Sequence, residues 1–212
     1  MLWLITEYLK SISEYMKKKL LLFVLLQILF AGWLMAQPTS QELEQINRDR
    51  ISLNSNGMLI LGGWAVSNLV VGGIGMTQNS GNVRYFHQMN AAWNTVNLAI
   101  AGFGYYGLRN QSTSITLSET ITEFHNFEKI LLFNAGLDVG YIAIGAYLWE
   151  RGIRTESARL KGYGQSMILQ GGFLFVFDLV LYALSRSESR ALIQSLDSVS
   201  LSASGIGLSI TF

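Results

Sequence analysis

Asp138 and Asp178 sit where their chemistry is most constrained. Each interrupts an apolar run that has no Lys or Arg between Ile130 and Trp149 or between Met167 and Ser185. A bare carboxylate in hydrocarbon costs several kcal/mol, so each must be protonated, hydrogen-bonded, hydrated or paired with a cation. Amides share this setting. Asn90, Asn94 and Asn97 recur at i, i+4 and i+7, the spacing of one helical face, and Asn134 and Tyr141 flank Asp138 at similar spacing. On four antiparallel helices, counting from the outer ends at 1.5 Å per residue puts Asn68, Asn97, Asp138 and Asp178 roughly 10–16 Å deep, at about one level. The candidate polar site is therefore Asn68, Asn94, Asn97, Asn134, Asp138 and Asp178. It has two readings. Amides and protonated acids can be glue that fixes helix register, at roughly 0.5–2 kcal/mol per contact. Coupled carboxyls inside a membrane can instead share a proton or hold a cation along an ion path.

Other chemistry finds little support. There is no cysteine, so disulfides and thiolate centres are excluded. The two histidines, His87 and His125, begin different apolar segments at opposite ends and are expected to be interfacial hydrogen-bonding groups, not ligands to one metal or haem. Neither a Gly-x-Ser-x-Gly elbow nor a His-Glu-x-x-His pair is present, and no Gly-rich loop leads into a Lys. An intramembrane enzyme is thus a third reading without support from any motif, and no metal or cofactor is expected.

The elements that must carry these residues are helices in lipid. Of the 212 residues 50% are hydrophobic and only 14% charged, whereas a soluble domain carries about 25% charged residues. A net charge of +1 offers no hold for nucleic acid. Four apolar stretches, Met58–Thr77, Tyr85–Leu108, Lys129–Trp149 and Gly164–Ser185, are each long enough to cross a hydrocarbon core of about 30 Å. Gly62-Gly63, Gly136 with Gly140, and Gly171-Gly172 supply small surfaces for close packing. The fold class expected is an all-α membrane protein, a four-helix transmembrane bundle with a small β element on its outer face.

Lys17, Lys18 and Lys19, the apolar run Leu20–Ala31, and Leu34-Met35-Ala36 before polar Gln37 have the form of an export signal, with cleavage expected after Ala36 and Met16 as the expected start. Residues 1–36 are thus extension and signal, 37–56 an outer segment, 57–186 the helical domain and 187–212 an outer tail. Within 37–56, Thr39 and Glu42 have capping-box spacing, which predicts a short helix lying on the outer surface. Arg151, Arg154, Arg159 and Lys161 place the third connection inside, while the loop Asn110–Phe124 lacks basic residues. Both mature termini then face the periplasm, and the inner membrane is favoured because it receives helical spans. Ile206, Leu208, Ile210 and Phe212 alternate as a strand does, and Ile115 with Leu117 gives it a partner on the same side.

Tyr85-Phe86-His87-Gln88-Met89-Asn90, Trp93-Asn94, Asn134-Ala135-Gly136-Leu137-Asp138, Glu150-Arg151-Gly152 and Gly162-Tyr163-Gly164 resemble the pattern of a family of small exported membrane proteins from Gram-negative bacteria. The resemblance spans Gly57 to Ser185 and implies four helices, but it brings no assigned activity and no site residues. The function expected is a non-enzymatic membrane subunit that binds the lipid bilayer and a protein partner or a second copy of itself. The alternative is a small ion or proton transporter using the polar layer.

Overall fold

The computed structural model describes residues 15–27 and 38–204. These form α1 (15–27), α2 (Ser40–Gln78), α3 (Gly81–Arg109), α4 (Leu117–Arg154) and α5 (Ala158–Ser204), and among the described residues there is no strand. Ser40–Ser189 make one compact unit; 15–27, 38–39 and 190–204 belong to a second. In the second unit, α1 is exposed along its length, with the Lys19 ammonium 4.9 Å from the Tyr15 ring centre. The expected cleavage site after Ala36 lies outside the described residues.

Within Ser40–Ser189 successive helices run in opposite directions. Gly104 abuts Met58 and Gly72 abuts Ala91, which makes α2 and α3 antiparallel; Gly145 on Ile168 and Gly171 on Ile142 do the same for α4 and α5. Gly57 against Leu181, with Trp64 stacked on Phe173 at 3.8 Å, sets α5 antiparallel to α2. Glycine permits these approaches: a Cβ on Gly145 would stand 2.9 Å from the Gly164 carbonyl oxygen, so α4 and α5 touch backbone to backbone.

The unit is inverted relative to a water-soluble bundle. Its outer surface carries Phe103 (80% exposed), Phe133, Val96, Val139 and Val176, while Asn, Asp, Gln and Ser populate the buried positions. α2, α4 and the 158–194 part of α5 are long and apolar enough to cross a membrane. The fourth expected span lies within α3, which is not among these three. Its buried positions are Asn90, Asn94, Asn97 and Ala101, so the amide stripe that lowers its apolar average is turned inward.

Three local expectations change. Residues 40–56 are not a separate surface helix but the first turns of the 39-residue α2. The sole proline, Pro38, precedes that helix and nothing inside it breaks the hydrogen-bond ladder. Leu117 is no strand residue, because Thr116 caps α4: its hydroxyl accepts from the Glu119 amide, and the Glu119 carboxylate accepts from the Thr116 amide at 2.8 Å. Those bonds hold the Glu119 carboxyl below its ordinary range. The tail is helical through Ser204, so it provides no strand before 205; Ile206–Phe212 lies outside the described residues.

Candidate functional site

α2 and α4 run parallel and bury Asn47, Arg50, Asn54, Gly57, Leu61, Ala65 and Asn68 from the first, and Glu128, Leu131, Ala135 and Asp138 from the second. α5 adds Ser166, Gln170, Asp178, Leu181, Ser185 and Ser189. Together with the α3 amides, these side chains form a polar core in distinct tiers.

One tier is a closed hydrogen-bonded ring. The Trp64 indole donates to Gln170 Oε1 at 2.9 Å, Gln170 Nε2 donates to Asn90 Oδ1, Asn90 Nδ2 donates to Asn68 Oδ1 at 2.6 Å, and Asn68 Nδ2 donates to the Trp64 carbonyl at 2.8 Å. Each member both donates and accepts, so the ring ties α2, α3 and α5 together with no polar atom to spare for a ligand. Above it, Asn94 donates to the Asn90 carbonyl at 2.8 Å, and Asn97 makes a longer 3.4 Å contact with Asn94.

The next tier is chemically different. Asp138 on α4 and Asp178 on α5, 3% and 6% exposed, stand near enough for their side chains to interact. Two neighbouring carboxyls hydrogen-bond to each other only when one carries a proton, since an ionised carboxylate only accepts. Asp138 Oδ2 remains buried with no partner. Neither α2 nor α3 buries an ionisable residue beside the pair; their nearby buried positions are Leu61, Ala65, Asn97 and Ala101.

Toward the start of α2 the core ends in charge. Arg50, almost wholly buried, reaches Glu123 at 3.4 Å, Gln111 at 3.3 Å and Asn47 at 3.3 Å, and Asn47 donates to the Thr120 hydroxyl at 2.8 Å. Burial lowers the Arg50 pKa, against the opposing pull of Glu123. Glu128 accepts from Ser189 at 2.6 Å and pairs with Arg186 at 3.2 Å.

The six residues singled out from sequence therefore divide. Asp138 and Asp178 meet, and Asn94 and Asn97 touch. Asn134 is only half-buried and is not among the buried residues of α4. Asn68 does not share a level with the carboxyls: its partner Gln170 is eight residues from Asp178, about 12 Å along α5. Span ends guessed from sequence carry errors of a turn or so, enough to merge two tiers into one. The sequence reading missed Gln170 and Trp64 in the ring, Ser166, whose hydroxyl lies 3.5 Å from Asn90 Oδ1, and Arg50, Asn54 and Ser185 elsewhere in the core. Gln170 was visible as the one amide in an otherwise apolar stretch of α5.

Apolar exterior, polar buried core and a carboxyl pair define a helical protein of the membrane-spanning type in shape and composition. The chain belongs to the Family of unknown function (DUF6992), which matches residues 60–179, a stretch that contains the ring and the carboxyl pair. No curated protein and no solved structure matches it.

Proposed function

We propose that this chain is a non-enzymatic integral membrane protein of four transmembrane helices that binds an exchangeable proton at the Asp138–Asp178 pair. One observation carries the reading: two carboxyls are buried side by side with no buried cation beside them and Asp138 Oδ2 unpartnered, a setting that favours a proton shared between them. α3 is the fourth span, its amides hidden inside the bundle where a membrane helix places them. The start of α2 and the α3–α4 connection face the periplasm, and the Arg151–Lys161 connection faces the cytoplasm, supported by the distribution of basic residues. The inner membrane receives it after export of the N-terminal region.

Infrared difference spectroscopy on the purified protein across a pH titration tests this reading. A carboxylic-acid band that persists to neutral pH in the wild type, shifts in Asp138→Asn and in Asp178→Asn, and is lost in the double variant is expected, with helical content unchanged. A wild type without that band, or a double variant that keeps it, refutes the reading.

A second reading, association with a partner or another copy, has one observation in its favour. Gly136 and Gly140 lie one turn apart on α4, and a Cβ at either would meet nothing within 4 Å, so this face can admit a neighbouring helix closely. Crosslinking in native membranes that is abolished by Gly136→Leu would support it.

A further inference from the structure

The polar atoms left unpartnered inside the unit are not spread evenly. They are Asn54 Oδ1, His87 Nδ1, Asp138 Oδ2, Ser185 Oγ, Arg186 Nε and Glu188 Oε2. Apart from Asp138 itself, all but His87 lie on the side of the carboxyl pair that leads to Glu128 and the start of α2. Asn54 and Ser185 are 2% and 1% exposed. Because α2 and α5 are antiparallel with Gly57 against Leu181, Asn54 and Ser185 stand at a common level, nearly one turn beyond that contact on each helix. A buried polar atom without a protein partner is satisfied by water or an ion, because leaving it bare costs a hydrogen bond.

The opposite direction is closed. There the core passes into the Trp64–Gln170–Asn90–Asn68 ring, whose members satisfy one another. A satisfied ring has no need of water and packs three helices across the route.

Between Ser185 and Asp178 a single buried side chain intervenes on α5, Leu181, over a distance of about 10 Å at 1.5 Å per residue. It lies against Gly57, where a Cβ would stand 2.9 Å from Leu181 Cδ2, so the absence of a side chain on α2 is what lets Leu181 fill the space. Ala135, with no more than a methyl group, is the buried α4 residue one turn before Asp138.

We infer that protons reach the Asp138–Asp178 pair from the Glu128 end only, along Asn54 and Ser185, with Leu181 as the gate and the amide ring as the blind end. The inference rests on the proton-binding reading above and adds its direction and its control. Glu128, Arg186 and Glu188 are ionisable groups at the mouth, joined by the Arg50–Glu123 pair, with Asp49 facing Glu188 from α2. The route delivers a proton to the pair and returns it the same way, which suits a sensor of one face of the membrane and not a conductor across it.

The chain has no native cysteine, so isosteric Ser→Cys replacements on one helix can test this directly. Full-length protein carrying Ser185→Cys or Ser166→Cys is reconstituted in vesicles, exposed to Ag⁺ on one side at a time, then denatured and titrated with maleimide. Expected is loss of the Ser185→Cys thiol when Ag⁺ is added on the side of the α3–α4 connection, with Ser166→Cys protected from both sides. Adding Leu181→Ala should extend Ag⁺ reaction to Ala135→Cys, which is otherwise protected. Reaction at Ser166→Cys with protection at Ser185→Cys would reverse the route, and protection at both would mean a dry core; either overturns the inference. The infrared band reports separately on proton binding, so a failed route and a failed site are distinguishable.

Discussion

The hydrogen-bonded ring makes a quantitative demand on Gln170. Gln170→Met keeps the volume of the side chain, so the transfer and cavity costs are small, but it removes the acceptor of the Trp64 indole and the donor to Asn90. Hydrogen bonds between membrane helices average about 0.6 kcal/mol and reach about 1.7, so losing two predicts about 1–3 kcal/mol of destabilisation. Trp64→Phe removes one of the same bonds while keeping a ring to stack on Phe173. The double variant therefore isolates the Trp64–Gln170 bond, and the expected coupling energy is about 0.6–1.7 kcal/mol. Reversible unfolding in mixed micelles, followed by helical circular dichroism, measures all four corners of the cycle. A coupling within about 0.3 kcal/mol of zero would refute the reasoning, since distant independent sites already add to about that precision. The ring would then be a geometric coincidence and not a clamp.

Two further outcomes are expected. Gly145→Leu should force α4 and α5 apart at the Gly164 carbonyl and cost about 1–3 kcal/mol, whereas Gly140→Ala, with nothing within 4 Å, should leave the unfolding curve unchanged; the same assay decides. Burial, and then the nearby Asp49 carboxylate, raise the Glu188 pKa above its ordinary value of 4.5. The folded chain thus holds that proton to higher pH than the unfolded chain does, so this contribution is complete below 4.5 and is lost as pH rises through the folded value. Stability measured against pH should show that decline in the wild type and a flatter profile in Glu188→Gln.

Much of the helical framework was legible because hydrophobic length is a strong local signal: all four expected spans fall inside observed helices. The amide stripe of α3 was legible for the same reason, since Asn90, Asn94 and Asn97 repeat at the helical period and are all buried. What escaped was information carried between helices. Arg50 belongs to a polar stretch that resembles any solvated segment, and only its neighbours Glu123 and Gln111 on other elements reveal that it is buried. Likewise, Trp64 has the composition of an interfacial anchor, and its role in the ring depends on a Gln more than a hundred residues away. The strand periodicity near Leu117 lost to a local competitor, because the Thr116–Glu119 box satisfies two backbone amides as soon as the helix starts there.

The proposed function divides glue from site between the two kinds of tier, for a reason no spacing pattern contains. Asn68, Asn90 and Gln170 are amides that can donate and accept at once, so three of them and an indole can close a cycle in which every side-chain polar atom has a partner. Asp138 and Asp178 cannot do this. A pair of carboxyls has four oxygens and, without an added proton, no donor, so they can join only by recruiting a proton and must leave acceptors over. No other buried ionisable group stands beside them on α2 or α3 to take up that surplus. On the proposed reading, amides are the clamp and carboxyls the exchangeable element. Replacing both aspartates by asparagine would convert the second tier into a copy of the first: a bundle that still assembles but no longer binds a proton at this tier.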